Sequence, residues 1–288
     1  MLRALLLAIV LLAPAVLADP NAALASLRAE QQADGGWGTR ATTDWVLMGL
    51  AAAHEDPAAW GVETYLMANP PEPTSVLSWE RSTLALACAG YDANDFHGVD
   101  YALVVQAWFV GGQFGSPTAI NDDDWGILAL RAAGVPASDA RLQLAGQFIL
   151  AAERPGGGWS WSTTGSADPD DTGAALMALA AGDVAGRGPA VARAESYLRG
   201  IQNADGGWGL AGGAKSNDLS TAWAAMGLLA SGEDLAAWTT PGGATPLSYL
   251  QGLQGADGAF AYQAGAPGGP AETGTTLPPL LGTSYATC

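Results

Sequence analysis

Three aspartates crowd four positions of this 288-residue chain, within the segment GSADPDDTGAALMALAAG. Asp168, Asp170 and Asp171 stand immediately before a run of small and apolar residues that predicts a helix. An isolated aspartic acid has a pKa near ~3.9 and is ionised at neutral pH. Carboxyl groups clustered in a dry cavity cannot all ionise, so one of them keeps its proton. The cluster is therefore a candidate proton donor.

The same aspartates have a second interpretation, in which they only cap the helix. Asp, Ser and Thr cap helix N-termini, and the helix dipole favours negative charge there by typically ~0.3–1 kcal/mol. Acids recur where the other apolar helices are predicted to start, at Asp44, Glu80, Asp122, Asp123, Asp124, Asp218 and Glu272. Capping alone would produce such a ring of acids. A third interpretation is a cation site formed by Asp122–Asp124 or Asp168–Asp171.

One glycine-rich turn recurs along the chain and divides it into repeats. Its variants QQADGGWG, RPGGGWSW, QNADGGWG and QGADGAFAY place an aromatic residue at Trp37, Trp159, Trp208 and Phe260. The spacing leaves room for two degenerate copies, around Tyr65–Trp79 and Tyr101–Phe114, which makes six units. In each clear unit an amphipathic helix precedes the turn, and a helix that is apolar on nearly every face follows it.

Six helical hairpins, with buried helices inside and amphipathic helices outside, predict an all-α fold: a closed α/α toroid, or α6/α6 barrel. An open solenoid would expose its terminal repeats and would need polar caps. The last unit, AETGTTLPPLLGTSY, is still apolar, so we expect it to pack against the first unit and close the ring. Pro278 and Pro279 predict that its inner helix is short or broken.

The turns resemble the QW repeat of squalene and hopene cyclases. In the fifth unit, Tyr197-Leu198 is followed by Gln202 and then by Gly206-Gly207-Trp208. On four such matches the chain is identified as a member of the terpene cyclase and protein prenyltransferase toroid superfamily. The resemblance implies that the Gln and Trp of each turn tie an outer helix to the neighbouring turn. The tryptophans expected to be structural are Trp37, Trp159 and Trp208.

The aspartate cluster at Asp168–Asp171 also resembles a motif of this family. Asp168-Pro169-Asp170-Asp171-Thr172 is similar to the DxDDT acid motif of hopene cyclases, which likewise follows a Gly-Gly-Trp turn. The resemblance implies that Asp170 protonates a terminal double bond or epoxide, and that Asp168 and Asp171 hold this acid in place. The chain departs from the family in having length for one helical domain instead of two, and no histidine after His97 to hydrogen-bond the acid. No sequence pattern supplies a zinc site, so we expect neither a metal nor a cofactor.

Aromatic residues supply candidate ligand contacts. Trp45, Trp125 and Trp223 stand near the starts of predicted inner helices. Their faces could line a central cavity and stabilise a carbocation. They could equally stack on sugar rings or fill the core of the barrel. Trp161, just after a turn, is a weaker candidate for the ligand site, as is Tyr262.

The N-terminus, the net charge and the cysteines indicate where the protein acts and which partners it excludes. The first eighteen residues, MLRALLLAIVLLAPAVLA, have the pattern of a signal peptide cleaved after Ala18. We therefore expect a single toroid domain over residues 19–288, secreted or periplasmic, with no transmembrane anchor after cleavage. The net charge of −17 repels phosphate backbones and argues against a nucleic-acid partner. Export permits a disulfide between Cys88 and Cys288, and two free thiols are the alternative.

These observations predict a squalene/hopene-cyclase-like toroid that binds a polyisoprenoid or similar apolar ligand. If the protein is an enzyme, we expect a class II cyclase, in which proton transfer from Asp170 starts the reaction. The alternative is a non-catalytic secreted binding protein, by analogy with the toroids of vitamin B12 carriers. A carbohydrate-active α/α barrel ranks third, because such enzymes pair carboxylates with tryptophans but no motif supports one here.

Overall fold

The computed structural model describes residues 18–288, and within them helices alternate between an inner and an outer layer of a ring. The inner layer consists of α2 (Arg40–Ala52), α5 (Val76–Cys88), α7 (Ile120–Ala132), α9 (Pro169–Ala181), α11 (Asp218–Ala230) and α13 (Pro270–Leu280). The outer layer consists of α1 (Pro20–Glu30), α3 (Pro57–Trp60), α4 (Glu63–Ala68), α6 (Tyr101–Ala107), α8 (Ala140–Ala151), α10 (Gly188–Ile201) and α12 (Pro246–Gln251). A short antiparallel ribbon, β1 (Phe109–Val110) and β2 (Gln113–Phe114), precedes α7.

The ring is closed, which confirms the predicted toroid of six helical hairpins. Each inner helix packs against the next one along the chain, and α13 packs against both α2 and α1. Two hydrogen bonds join the last unit to the first: the Gln254 side chain accepts from the Asp19 N–H at 2.8 Å and donates to the Asp19 carbonyl at 2.8 Å. The predicted signal peptide, apart from Ala18, lies outside the described residues. No described helix is both long and apolar enough to span a membrane.

The buried tryptophans of the turns connect the two layers. Their indole N–H groups donate to carbonyl oxygens of the preceding outer helix, in the pairs Trp37 to Leu27 (2.8 Å), Trp159 to Ile149 (2.7 Å) and Trp208 to Leu198 (2.9 Å). Their backbone N–H groups donate at 3.0 Å to a threonine of the following inner helix, which is Thr43, Thr172 or Thr221. Each tryptophan thus lies between the layers and fixes the hairpin angle.

The turn glycines allow neighbouring units to approach each other. Gly206 has a φ of +91°, and a Cβ atom there would lie 2.4 Å from the carbonyl oxygen of Thr245 at the start of the next unit. Gly258 has a φ of +89°, and its Cβ would lie 2.2 Å from the carbonyl oxygen of Ala22. Only glycine combines this backbone conformation with so close a contact. The same device therefore joins neighbouring units and closes the ring.

The C-terminal tail covers the end of the barrel at which the inner helices finish. The helix α13 has 11 residues against 13 in α2, and it continues through Pro278 and Pro279, so it is short but unbroken. A 3-10 turn follows at Tyr285–Thr287 and contacts α7, α9 and α11. The structure joins Cys288 to Cys88, the last residue of α5, in a disulfide. The tail is thereby fastened across the barrel.

Candidate functional site

The opposite end of the barrel gathers the acids found in the sequence. The inner helices begin side by side there, as hydrogen bonds between neighbouring inner helices show. Asp44 of α2 accepts a hydrogen bond from Ser82 of α5 at 2.7 Å. Asp218 of α11 accepts one from Thr276 of α13. We call this region, where the six inner helices begin, the acidic end of the barrel.

Asp168 is the N-cap of α9. Its Oδ1 accepts a hydrogen bond from the backbone N–H of Asp171 at 2.9 Å, and its own N–H donates to the carbonyl of Trp159 at 3.0 Å. Neither Asp170 nor Asp171 caps the helix. The capping interpretation therefore accounts for one of the three clustered aspartates and leaves the other two to be explained.

Asp170 faces the axis of the barrel. It lies two residues after its N-cap, and the residue one helical turn later, Ala174, lies on the same face of the helix. On α2, α7 and α11 the position equivalent to Ala174 carries one of the tryptophans that meet in the centre of the barrel. The Oδ1 atom of Asp170 is buried and has no hydrogen-bond partner among the described residues. A buried carboxyl oxygen without a partner favours the protonated form.

The surroundings of Asp170 agree with this protonation state. Burial raises the pKa of Asp170 to about 6, the Ser220 hydroxyl of α11 partly opposes the rise, and the charge of Asp168 adds to it. Burial, the hydrogen bond with Asp168 and the charges of both neighbours raise the pKa of Asp171 to about 8. Asp171 therefore keeps a proton at neutral pH, and Asp170 keeps one below a pH of about 6. The sequence did not identify Ser220 as a site residue, because a serine near the start of a helix is usually interpreted as a capping residue.

Three of the four predicted ligand-binding tryptophans meet in the centre of the barrel. The ring centroids of Trp45, Trp125 and Trp223 lie 5.3–5.8 Å from one another, in edge-to-face arrangements. Tyr285 of the C-terminal tail lies against two of them, 5.6 Å from Trp223 and 6.3 Å from Trp45. These four rings form an aromatic floor between the acidic end and the tail. The sequence did not reveal the part played by Tyr285.

Trp161 lies apart from this floor. Its side chain is 59% exposed, and its carbonyl oxygen accepts hydrogen bonds from the backbone N–H groups at the start of α7. Its backbone also contributes a hydrogen bond to Asp171, which favours the ionised form of that acid. Trp161 therefore stands at the rim of the acidic end, beside the aspartate cluster.

Two further acids are more deeply buried than the aspartate cluster. Glu80 of α5 and Asp124 of α7 have no exposed surface, and none of their four carboxyl oxygens has a hydrogen-bond partner among residues 18–288. Burial, with the charges of Asp122 to Asp124, raises the pKa of Glu80 well above its usual value. Burial, with the charge of Asp171 foremost among its neighbours, does the same for the pKa of Asp124. Neither acid caps its helix, so capping explains neither.

The described acids do not form a metal site. Within residues 18–288, no three carboxylate, imidazole or thiolate side chains converge as metal ligands would. Asp123 accepts the backbone N–H of Phe114 at 2.9 Å, and Asp122 accepts that of Ser116 at 2.8 Å, so both fix the turn before α7. The Asp123 bond occupies the position that the threonine-to-tryptophan bond has in other units, which identifies Phe114 as the aromatic residue of the third turn.

Comparison with known proteins gives one family and several similar structures. The family model of the squalene-hopene cyclase C-terminal domain matches residues 127–273. A variant of the type II terpene cyclase MstE from Scytonema, in complex with geranylgeranyl dihydroxybenzoate, superposes with a TM-score of 0.67 at 15% identity, covering 93% of this chain and 96% of that one. The ent-copalyl diphosphate synthase from Streptomyces platensis has a TM-score of 0.57 at 18% identity, covering 86% of this chain and 50% of that one.

The fold extends beyond terpene chemistry. A polysaccharide lyase superposes with a TM-score of 0.63 at 10% identity, covering 91% of this chain and 96% of that one. No curated protein sequence matches the chain. At these levels of identity the structural likenesses establish the fold, and the chemistry must be argued from the residues of the site.

Proposed function

Because this chain belongs to the squalene-hopene cyclase C-terminal domain family, we propose that it binds a polyisoprenoid or similar apolar ligand at the acidic end and that Asp170 protonates it. The observation that carries the proposal is the position of Asp170: a buried carboxyl oxygen without a partner, on the helix face that is directed at the barrel axis. The aromatic floor lies one helical turn deeper. An acid and a set of aromatic faces are thus presented to the same interior.

The proposed reaction uses these groups in order. The Asp170 carboxyl proton is transferred to the less substituted carbon of the ligand's terminal double bond, which leaves Asp170 as a carboxylate and the ligand as a tertiary carbocation. Ring closure moves the positive charge along the chain, where the faces of Trp45, Trp125 and Trp223 stabilise it. Loss of a proton from the cyclised cation restores the charge balance, and Asp170 takes up a proton before the next turnover. Support comes from the MstE structure, whose ligand carries a geranylgeranyl chain.

The protonation state of Asp170 gives the proposal a pH dependence. Burial raises the pKa of Asp170 to about 6, and only the protonated form can donate. We expect turnover to decline as the pH rises through about 6. A rate that instead increases through this range would identify a base, not an acid, as the group that controls the reaction.

The test is product analysis with the wild type and an Asp170→Asn variant. Each is incubated with squalene and with shorter polyprenes, and cyclised hydrocarbons are measured by gas chromatography with mass spectrometry. Removing a general acid is expected to lower the rate by about 10²–10⁴. Asp257→Asn, in an exposed turn of the last unit, is the matched control and should retain wild-type turnover. Equal product from Asp170→Asn and wild type would contradict the role of Asp170.

A non-catalytic binding protein is the second candidate function. The observation in its favour is the mutual packing of the aromatic floor, in which Trp45, Trp125 and Trp223 already contact one another. Such a floor can bind an apolar chain without any chemical step. Native mass spectrometry of the protein with a bound polyprene, combined with no product from the wild type or from Asp170→Asn, would favour this candidate over the enzyme.

We also propose that the protein is exported. The support is the signal-peptide pattern of residues 1–18, together with a disulfide of the kind that forms in oxidising compartments. Expression in a host with a secretory pathway, followed by N-terminal sequencing of the exported protein, tests this directly. We expect a mature protein that starts at Asp19. Retention of an uncleaved chain inside the cell would contradict the proposal.

A further inference from the structure

An open groove of about 440 Å³ lies where α5 and α7 begin. Its walls combine apolar and acidic side chains: Val76 and Leu77 come from the first turn of α5, Trp108 from the end of α6, and Asp122 from the first turn of α7. Trp108 is half-buried, so part of its ring surface remains accessible. The groove has no part in the proposed proton transfer.

Glu80 lies one helical turn below the wall of this groove. Val76 and Glu80 are four residues apart on α5 and therefore share a helix face. The charges that raise the pKa of Glu80 are those of Asp122, Asp123 and Asp124. None of the ion pairs within residues 18–288 involves Glu80, Asp122 or Asp124. The groove therefore leads to a concentration of carboxyl groups for which the described chain supplies no cation.

The neighbouring gap between helices shows how this fold satisfies a carboxylate at the same level. Asp44 lies five residues after the N-cap of α2, as Glu80 does on α5. Two guanidinium groups bind Asp44: Arg40 at 2.8 Å and Arg81 at 3.2 Å. A buried carboxyl group without a counter-charge keeps its proton, and a cation beside it favours the ionised form. Arginines of the protein thus pair with the carboxylate between α2 and α5, whereas no described cation pairs with the equivalent carboxyl group between α5 and α7.

We infer that this groove is a binding site for an organic cation, an ammonium or guanidinium group that carries an apolar substituent. The charged group enters beside Asp122 and towards Glu80, and so takes the part that Arg40 and Arg81 take at Asp44. Val76, Leu77 and the Trp108 ring cover the substituent, and the face of the indole attracts the positive charge. An organic cation fits better than a metal ion, because Val76, Leu77 and Trp108 give the wall an apolar part and no set of three metal ligands converges within residues 18–288.

The inference is tested by calorimetric titration with compounds of matched size. The probes are hexyltrimethylammonium, hexanol, hexanesulfonate and calcium chloride. We expect the ammonium compound to bind the wild type at least tenfold more tightly than each of the others. The double variant Glu80→Gln/Asp122→Asn should weaken ammonium binding at least tenfold. Glu30→Gln, an exposed glutamate at the end of α1, should leave it unchanged.

Thermal melting of each variant separates loss of binding from loss of fold. Asp122→Asn alone keeps an oxygen to accept the Ser116 N–H, so it provides a folded variant if the double variant unfolds. Hexanol binding as tightly as the ammonium compound would overturn the inference. So would calcium binding that competes at equal affinity, or a Glu30→Gln variant that binds as weakly as the double variant. None of these outcomes depends on whether the protein turns over a polyprene.

Discussion

The two halves of the inner ring differ at one equivalent position, five residues after each N-cap. In α2, α5 and α7 this position is an acid: Asp44, Glu80 and Asp124. In α9, α11 and α13 it is a small residue: Gly173, Ala222 and Gly274. Five of the six helices have 13 residues and α13 has 11. The ring therefore compares two ways of filling the space between neighbouring helices.

The small-residue half packs backbone against backbone. A Cβ atom at Gly173 would lie 2.2 Å from the Trp223 carbonyl oxygen, and one at Gly274 would lie 2.7 Å from that of Trp45. The acidic half instead places carboxyl groups between its helices. Since the fold forms the same ring with either solution, the acids are not needed for ring closure. We conclude that a small residue at this position brings neighbouring helices into backbone contact, whereas an acid at the same position places a carboxyl group between them.

The largest expected effect follows from neutralising Asp44, which, unlike Glu80 and Asp124, has ion-pair partners among the described residues. Asp44 has no exposed surface and is held by Arg40 and Arg81. In Asp44→Asn both arginines lose their buried counter-charge, and we expect the free energy of unfolding to fall by about 3 kcal/mol. Urea denaturation followed by circular dichroism measures the loss. A variant as stable as the wild type would show that this acid is as dispensable to the fold as we infer the others to be.

The next effect concerns the close contact in the other half. Gly173→Ala forces a methyl group against the Trp223 carbonyl, and overpacking of this kind costs about 1–3 kcal/mol. Gly200→Ala is the control, because a Cβ at this position in α10 meets open space. It should stabilise the protein by about 0.5–1 kcal/mol, since alanine favours a helix over glycine. If both variants changed the free energy of unfolding in the same direction, the close packing at Gly173 would be contradicted.

Removing the unpaired acid Glu80 should change the free energy of unfolding in the opposite direction to removing Asp44. The raised pKa of Glu80 means that the folded protein keeps a proton which the unfolded chain loses above a pH of about 4.3. Glu80 therefore costs stability progressively as the pH rises from about 4.3 towards its folded pKa. Glu80→Gln should make the slope of unfolding free energy against pH less negative by up to about 1.4 kcal/mol per pH unit. Denaturation curves at pH 4 to 8 measure this slope, and an unchanged slope would show that Glu80 is ionised in the fold.

The sequence predicts the architecture because the turns repeat. Trp37, Trp159 and Trp208 mark equivalent positions, and their hydrogen bonds are local, each joining residues ten apart along the chain. Local geometry of this kind can be read from spacing. The last inner helix is short, as predicted, and it is not broken, because Pro278 and Pro279 stand in its last turn, where their missing N–H groups do not interrupt the hydrogen bonds of the preceding turns.

The site is less predictable because its electrostatics depend on contacts between helices. Arg81, 37 residues after Asp44 in the chain, neutralises that acid, whereas nothing comparable reaches Glu80 among the described residues. A list of acids at helix starts cannot distinguish these two situations. The pairing of Cys88 with Cys288 and the approach of Tyr285 to the tryptophans likewise depend on where the tail lies in the folded barrel.

The smallest effect distinguishes capping from charge in the small-residue half, where Asp168 stands at the start of α9. Asp168→Ala removes the oxygen that accepts the Asp171 N–H and should cost about 0.5–2 kcal/mol. Asp168→Asn keeps that oxygen, so its cost should be a few tenths of a kcal/mol at most, because asparagine is as good an N-cap. The two variants share the loss of charge and differ in the cap.

The loss of charge should have its own consequence. The charge of Asp168 contributes to the raised pKa values of Asp170, about 6, and Asp171, about 8. In Asp168→Asn both values should fall, because ionisation no longer opposes a neighbouring carboxylate. The pH at which turnover declines, or the titration of carboxyl carbon signals by NMR, should therefore move to lower pH while the melting temperature barely changes. An unchanged titration with an intact cap would mean that Asp168 serves the helix alone, and the small-residue half would then tune its acid through burial and Ser220 without help from its neighbour.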